Sequence, residues 1–86
     1  MKNNIDELKN ITKMYFGLRY GEDKWHNIVV FESNTNEFVG YIRENNTGFK
    51  YQCDINYKGY VKRLATRCNF IKALSLIGAE YYKLTI

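Results

Sequence analysis

The sequence predicts a small α+β domain in which an antiparallel meander is packed by helices. Three observations point there. Apolar residues recur at helical spacing near the N-terminus, they switch to period-two alternation between Trp25 and Tyr57, and a helical pattern returns beyond Tyr60. With 86 residues, an apolar share of 45% and an aromatic share of 16%, residues 1–86 read as one domain whose core leaves a modest margin of stability. The predicted order is α-β-β-β-α-β.

The first element is a helix on which Ile5, Leu8, Ile11, Thr12 and Tyr15 share a face. Asn4 is its cap and Glu7 completes a capping box, while Gly17 ends it. Residues 18–24 follow as a loop around Gly21. From Trp25 to Phe31 both faces are apolar, as for a strand covered on both sides, and Ser33, Asn34, Thr35 and Asn36 carry turn chemistry. Residues 38–43 then return as the second strand of a hairpin, where Gly40 allows a bulge or a close approach. A second turn over residues 45–48 leads into the cleanest alternation in the chain. Phe49, Tyr51, Cys53, Ile55 and Tyr57 point one way and Lys50, Gln52, Asp54 and Asn56 the other, so this strand has one wet face.

The next segment admits two readings. Val61, Leu64, Ala65, Cys68, Ile71 and Ser75 fall on one side of a helical wheel, which favours a helix over residues 60–77 capped by Gly78. The rival is a short strand, 60–65, turned back at Lys58-Gly59, with a helix beginning after a Thr66 cap. The long helix is preferred because alternation over 60–65 is poor and β-branched residues are few. In both readings residues 70–77 anchor the core, Ile71 and Leu74 included. Residues 79–86, with Tyr82, Leu84 and Ile86 alternating, read as a last strand beside the Trp25 strand.

The net charge of +4, from 13 Lys and Arg against 9 Asp and Glu, biases partners towards anionic surfaces. No stretch has the length of a membrane span and the N-terminus has no apolar signal core, so the expected location is the cytoplasm, with no membrane partner. Two cysteines, Cys53 and Cys68, are too few for a disulfide scaffold. The abundance of Lys, Asn, Ile and Tyr without proline fits AT-rich coding DNA, and with it a phage or mobile element of a low-GC bacterium.

Catalytic signatures are not legible. The single histidine, His26, has no placeable nucleophile or orienting carboxylate, the cysteines lack metal-ligand spacing, and Glu32, Glu37, Asp54 and Glu80 are scattered. The expectation is a protein that is not an enzyme and has neither metal nor cofactor. What remains is a basic, tyrosine-rich surface. On a helix starting near Tyr60, Lys58, Lys62 and Arg63 would crowd the positive end, where cations are disfavoured by about 0.3–1 kcal/mol each, and a docked anion would relieve the conflict. Arg67 lies one turn on, with Tyr57, Tyr60 and Arg43 available for stacking or packing. The blander reading is a solvated helix face.

Two functions follow from that surface. One is a non-catalytic binding or inhibitory module that docks on a host enzyme or defence nucleoprotein complex in the host cytoplasm. The alternative is direct nucleic-acid binding of the double-stranded RNA or DNA type. The order α-β-β-β-α is similar to that of double-stranded RNA-binding domains, whose basic helix start Lys58-Gly59-Tyr60-Val61-Lys62-Arg63 matches loosely. Element order alone does not carry function.

Overall fold

The computed structural model describes residues 11–15, 17–25, 27–45 and 50–86. Among them, one antiparallel sheet takes its six strands in chain order: β1 (Ile11–Tyr15), β2 (Leu18–Glu22), β3 (Ile28–Glu32), β4 (Phe38–Glu44), β5 (Tyr51–Tyr57) and β6 (Tyr60–Cys68). A single described helix follows, α1 (Phe70–Thr85). The α+β class holds, but the described order is six strands and then a helix.

The differences begin at the N-terminal end. The proposed cap at Asn4 and Glu7 lies outside the described residues, as do His26 and the tip of the turn at 46–48. The end of the expected first helix is strand instead, because Tyr15 pairs with Leu18 and Met14 with Arg19 in a hairpin. Gly17, at φ 75°, is the left-handed residue of its turn and not a helix end. The expected loop at 18–24 is largely β2, where Gly21 is simply a strand residue opposite Val29.

The central strands match the alternation. β3 lies inside the sheet, as its two apolar faces require, but between β2 and β4 and not beside a final strand. In the β3–β4 ladder Val30 opposes Gly40 and Phe31 opposes Phe38, so Val39 is the extra residue of a bulge. The bulge turns both Val39 and Gly40 towards the helix and leaves Phe38 and Tyr41 together on the other face, edge to face with ring centres 4.9 Å apart.

β6 decides the fold of the second half. Residues 60–68 are strand, not helix. Lys58 (φ 49°) and Gly59 (φ 87°) form a two-residue hairpin turn with both residues left-handed, and Tyr57 faces Tyr60 across it. Further along, Cys53 opposes Ala65 and Asp54 opposes Arg63, so Leu64 is an insertion, and a second irregularity follows before Cys68. Two interruptions in nine residues explain the poor alternation. Leu64 and Ala65 both pack against the core, which on a regular strand they would not.

The helix starts later than either sequence reading placed it. Asn69 is the cap, its Oδ1 accepting from the Lys72 amide at 2.7 Å. The helix then runs through residues 79–85, where the sequence suggested a strand, and Gly78 sits within it and not at its end. Ala73, Leu74, Ile77 and Tyr81 form its buried side, with Phe70 packed edge-on against Tyr20 and Tyr51. Ile71 points outward and is 52% exposed, so it is not a core residue. The apolar layer joins this side of α1 to Leu18, Val30, Val39, Ile42, Cys53 and Ile55 of the sheet.

Candidate functional site

The site expected from the sequence is split by the pleat. Register fixes the faces: Gly40 is directly under Ile77, and Ile42, Cys53 and Ile55 share that helix-covered side. Residues between them, Tyr41, Arg43, Gln52, Asp54 and Asn56, project from the opposite face, which is open over β5 and β6 but closed at β3, where Val29 and Phe31 are fully buried. On β6, Lys62 opposes Ile55 and Arg63 opposes Asp54, so these neighbours point to opposite sides of the sheet. The cations therefore do not crowd a helix start, and the conflict with the helix dipole does not arise.

The helix side carries Tyr57, Lys58, Tyr60 and Lys62, and its cations are answered by carboxylates. Lys58 Nζ lies 3.2 Å from Glu37 Oε2, and the Tyr57 hydroxyl donates to Glu37 Oε1 at 3.2 Å. The hydrogen bond from Lys58 holds the Glu37 carboxyl below the usual carboxylate range, and the same pair raises Lys58. Tyr60 donates to Glu80 at 3.1 Å, and Lys83 reaches the other oxygen of Glu80 at 3.4 Å. At Glu80 burial pushes the carboxyl upward, but Tyr60, Lys83 and the charge of Lys62 together bring it below the usual range. Tyr57 also packs edge-on against Tyr81, so it holds the helix to the hairpin and is not a free binding ring.

Among the described residues of β4, β5 and β6, the open face holds the surplus positive charge. Asp54, in the middle of β5, lies between two arginines from the flanking strands. Arg43 Nη1 of β4 is 3.5 Å from Oδ2, and Arg63 Nε of β6 pairs with Oδ1. Arg43 is fixed further by its guanidinium 4.6 Å from the centre of the Tyr41 ring and by Nε donating to Asn27 Oδ1 at 3.4 Å. Arg67 precedes core-packed Cys68 and projects away from the helix, and Lys50 stands just before β5. Neither Arg67 nor Lys50 has an ion-pair partner among the described residues. Within β4, β5 and β6, Asp54 is the only carboxylate on this side, against Arg43, Arg63 and Arg67.

Asp54 and Asn27 were not singled out as site residues from the sequence. The signal for Asp54 was present in the wet face of β5, but only the cross-strand register shows that two arginines meet there. Arg19 of β2 is hydrogen-bonded to Asn36 elsewhere on the sheet.

The other acidic and nucleophilic groups have structural work. Asp23 is buried and accepts from the amides of Trp25 and Asn27, both at 2.9 Å, closing the β2–β3 connection. Buried Glu32 accepts from the amides of Asn34 and Thr35 in the β3–β4 turn. Burial, and then the adjacent Cys68, pushes the Cys53 thiol up to about 12, so it stays protonated. Among the described residues no group of three or more His, Cys, Asp or Glu is placed to hold a metal ion, and no helix is long and apolar enough to cross a membrane.

No protein-family model matches the chain, and no curated protein or solved structure is significantly similar to it.

Proposed function

We propose that the chain is a non-catalytic docking module that engages an acidic surface of a partner protein or nucleoprotein complex through the open face of β4, β5 and β6. The observation that carries this reading is the asymmetry of charge across the sheet. Lys58, Lys62 and Lys83 face Glu37 and Glu80 on the helix side, whereas among the described residues on the other side Arg43 and Arg63 share the single carboxylate of Asp54 and Arg67 has no ion-pair partner. Exposed Val61, at 63%, adds an apolar contact beside Arg63 on the same side. A flat cationic patch with one apolar residue suits an acidic protein surface, with electrostatics setting approach and register.

The AT-rich composition supports the narrower form of the proposal, in which a phage or mobile element directs such a module at a host enzyme or defence complex. Direct nucleic-acid binding is less well supported. Tyr41 has its ring engaged by Phe38 and Arg43 and offers little stacking surface, and a run of six strands does not match the element order of double-stranded RNA-binding domains.

The test uses cations that make no ion pair among the described residues. A K50E/R67E variant should fold as the wild type by circular dichroism. In pull-downs from nuclease-treated low-GC bacterial lysate, it should recover the partner about tenfold less well at low salt, while K62E retains it. Equal recovery by both variants refutes the open face. Capture that disappears with nuclease treatment refutes a protein partner.

A further inference from the structure

Resting on that docking reading, we propose that Arg43 and Arg63 form a two-guanidinium seat for a carboxylate of the partner, with Asp54 acting as the positioning residue beneath them. The argument starts from the donors left over. Arg63 commits its Nε–H to Asp54, and the N–H groups of its two terminal nitrogens have no partner among the described residues. Arg43 commits Nε to Asn27 and Nη1 to Asp54, and its Nη2 has none. The Asp54 side chain is 15% exposed, while those of Arg43 and Arg63 are 39% and 46% exposed, so the carboxylate lies deep and the guanidiniums stand above it.

Two cations around one anion leave the trio with a net positive charge, and they leave partly exposed guanidiniums with donors that have no partner among the described residues. Arginine side chains are usually mobile, and ordering them is a main cost of binding an anion. Here the cost is met within the fold, by Asp54 between the two and by Tyr41 under Arg43. A carboxylate arriving from solvent would take charge-assisted hydrogen bonds from both guanidiniums, a geometry that lysines in the same places could not offer. Asp or Glu of a partner protein is the matching group, since among the described residues no free aromatic ring lies beside the seat to hold a base.

Nuclear magnetic resonance on the intact chain tests this directly, following backbone amides and the arginine Nε–H signals. The probe is N-acetyl-hexaglutamate amide at low ionic strength, with hexathymidylate and inorganic phosphate in parallel. Saturable shifts are expected at Arg43, Arg63 and Gln52, with Tyr60 and Lys62 unmoved. R63Q should weaken peptide binding about tenfold. D54N separates a built seat from general attraction. It adds one positive charge and so tightens any binding that depends on charge alone, whereas loss of the positioning carboxylate should weaken the seat severalfold. Should D54N fail to fold, R43Q and the wild-type shift map decide the matter.

Tighter peptide binding by D54N, shifts confined to Tyr60 and Lys62, no saturable shift, or equal or stronger binding of hexathymidylate or phosphate would each overturn the seat. If R63Q binds the peptide as well as wild type while K50E/R67E loses the lysate partner, the seat falls and the docking reading stands.

Discussion

Gly40 shows how tightly a single residue is specified in this sheet. A Cβ at this position would lie 2.4 Å from the backbone oxygen of Asp54 and 3.4 Å from Ile77 Cδ1, between β5 and the helix. The nearer neighbour is backbone and not a side-chain end, so the backbone itself would have to move. Gly40→Ala should destabilise the fold by about 1–3 kcal/mol, measured by urea unfolding, and the reverse change at an exposed helix position, Ala79→Gly, should cost roughly 1 kcal/mol through helix propensity alone. Gly40 was recognisable as a special position from its place in an apolar strand. That the bulge falls at Val39, one residue earlier, was not, because a bulge is set by the pairing partner.

At the level of elements, legibility followed regularity. β4 and β5 were read nearly to their ends, and the core of β3 was read correctly, because strict alternation or a doubly apolar run leaves one conformation that buries the right groups. β6 was misread because its bulges bring Leu64 and Ala65 to the same side, imitating the i, i+1 coincidences of a helical wheel. The last part of α1 was misread for the opposite reason. Tyr82, Leu84 and Ile86 alternate, yet Tyr81 is the residue that faces the core, and helical spacing from Leu74 and Ile77 accounts for it. The candidate site suffered most from these errors, since converting helix to strand separates Lys62 from Arg63. The helix itself gives a sharp test. Leu74→Asp places an unpaired charge in the core and should abolish cooperative unfolding, whereas Ile71→Asp, at an exposed position, should change stability by less than about 0.5 kcal/mol in the same thermal melt.

Over the whole molecule, the class was legible and the topology was not. Composition and the alternation of the middle strands point to α+β, but a strand order depends on contacts between residues far apart in sequence. β1 and β2 are short, are interrupted by Gly21, and sit at the side of the sheet away from β6, where local propensity is a weak guide. The site shares this limit. Its cations could be named from the chain, but their pairing with Asp54, Glu37 and Glu80 could not, and that pairing decides which side of the protein keeps a net charge.

The chain-order sheet also has a consequence in time. Every strand pairs with its immediate successor, and α1 packs chiefly on β4, β5 and β6, so most contacts close short loops at small entropic cost. Among the described residues the contacts that tie the early chain to its end are few, chiefly Leu18 in the shared core, Tyr20 against Phe70 and Gly17 beside Tyr82. Assembly should therefore begin in the segment from β4 to α1, with β1 and β2 joining after the rate-limiting barrier. In stopped-flow kinetics Tyr20→Ala should accelerate unfolding and leave refolding nearly unchanged, whereas Ile55→Val should slow refolding. The reverse assignment would show that the first hairpin, and not the helix-covered end of the sheet, is where the fold is born.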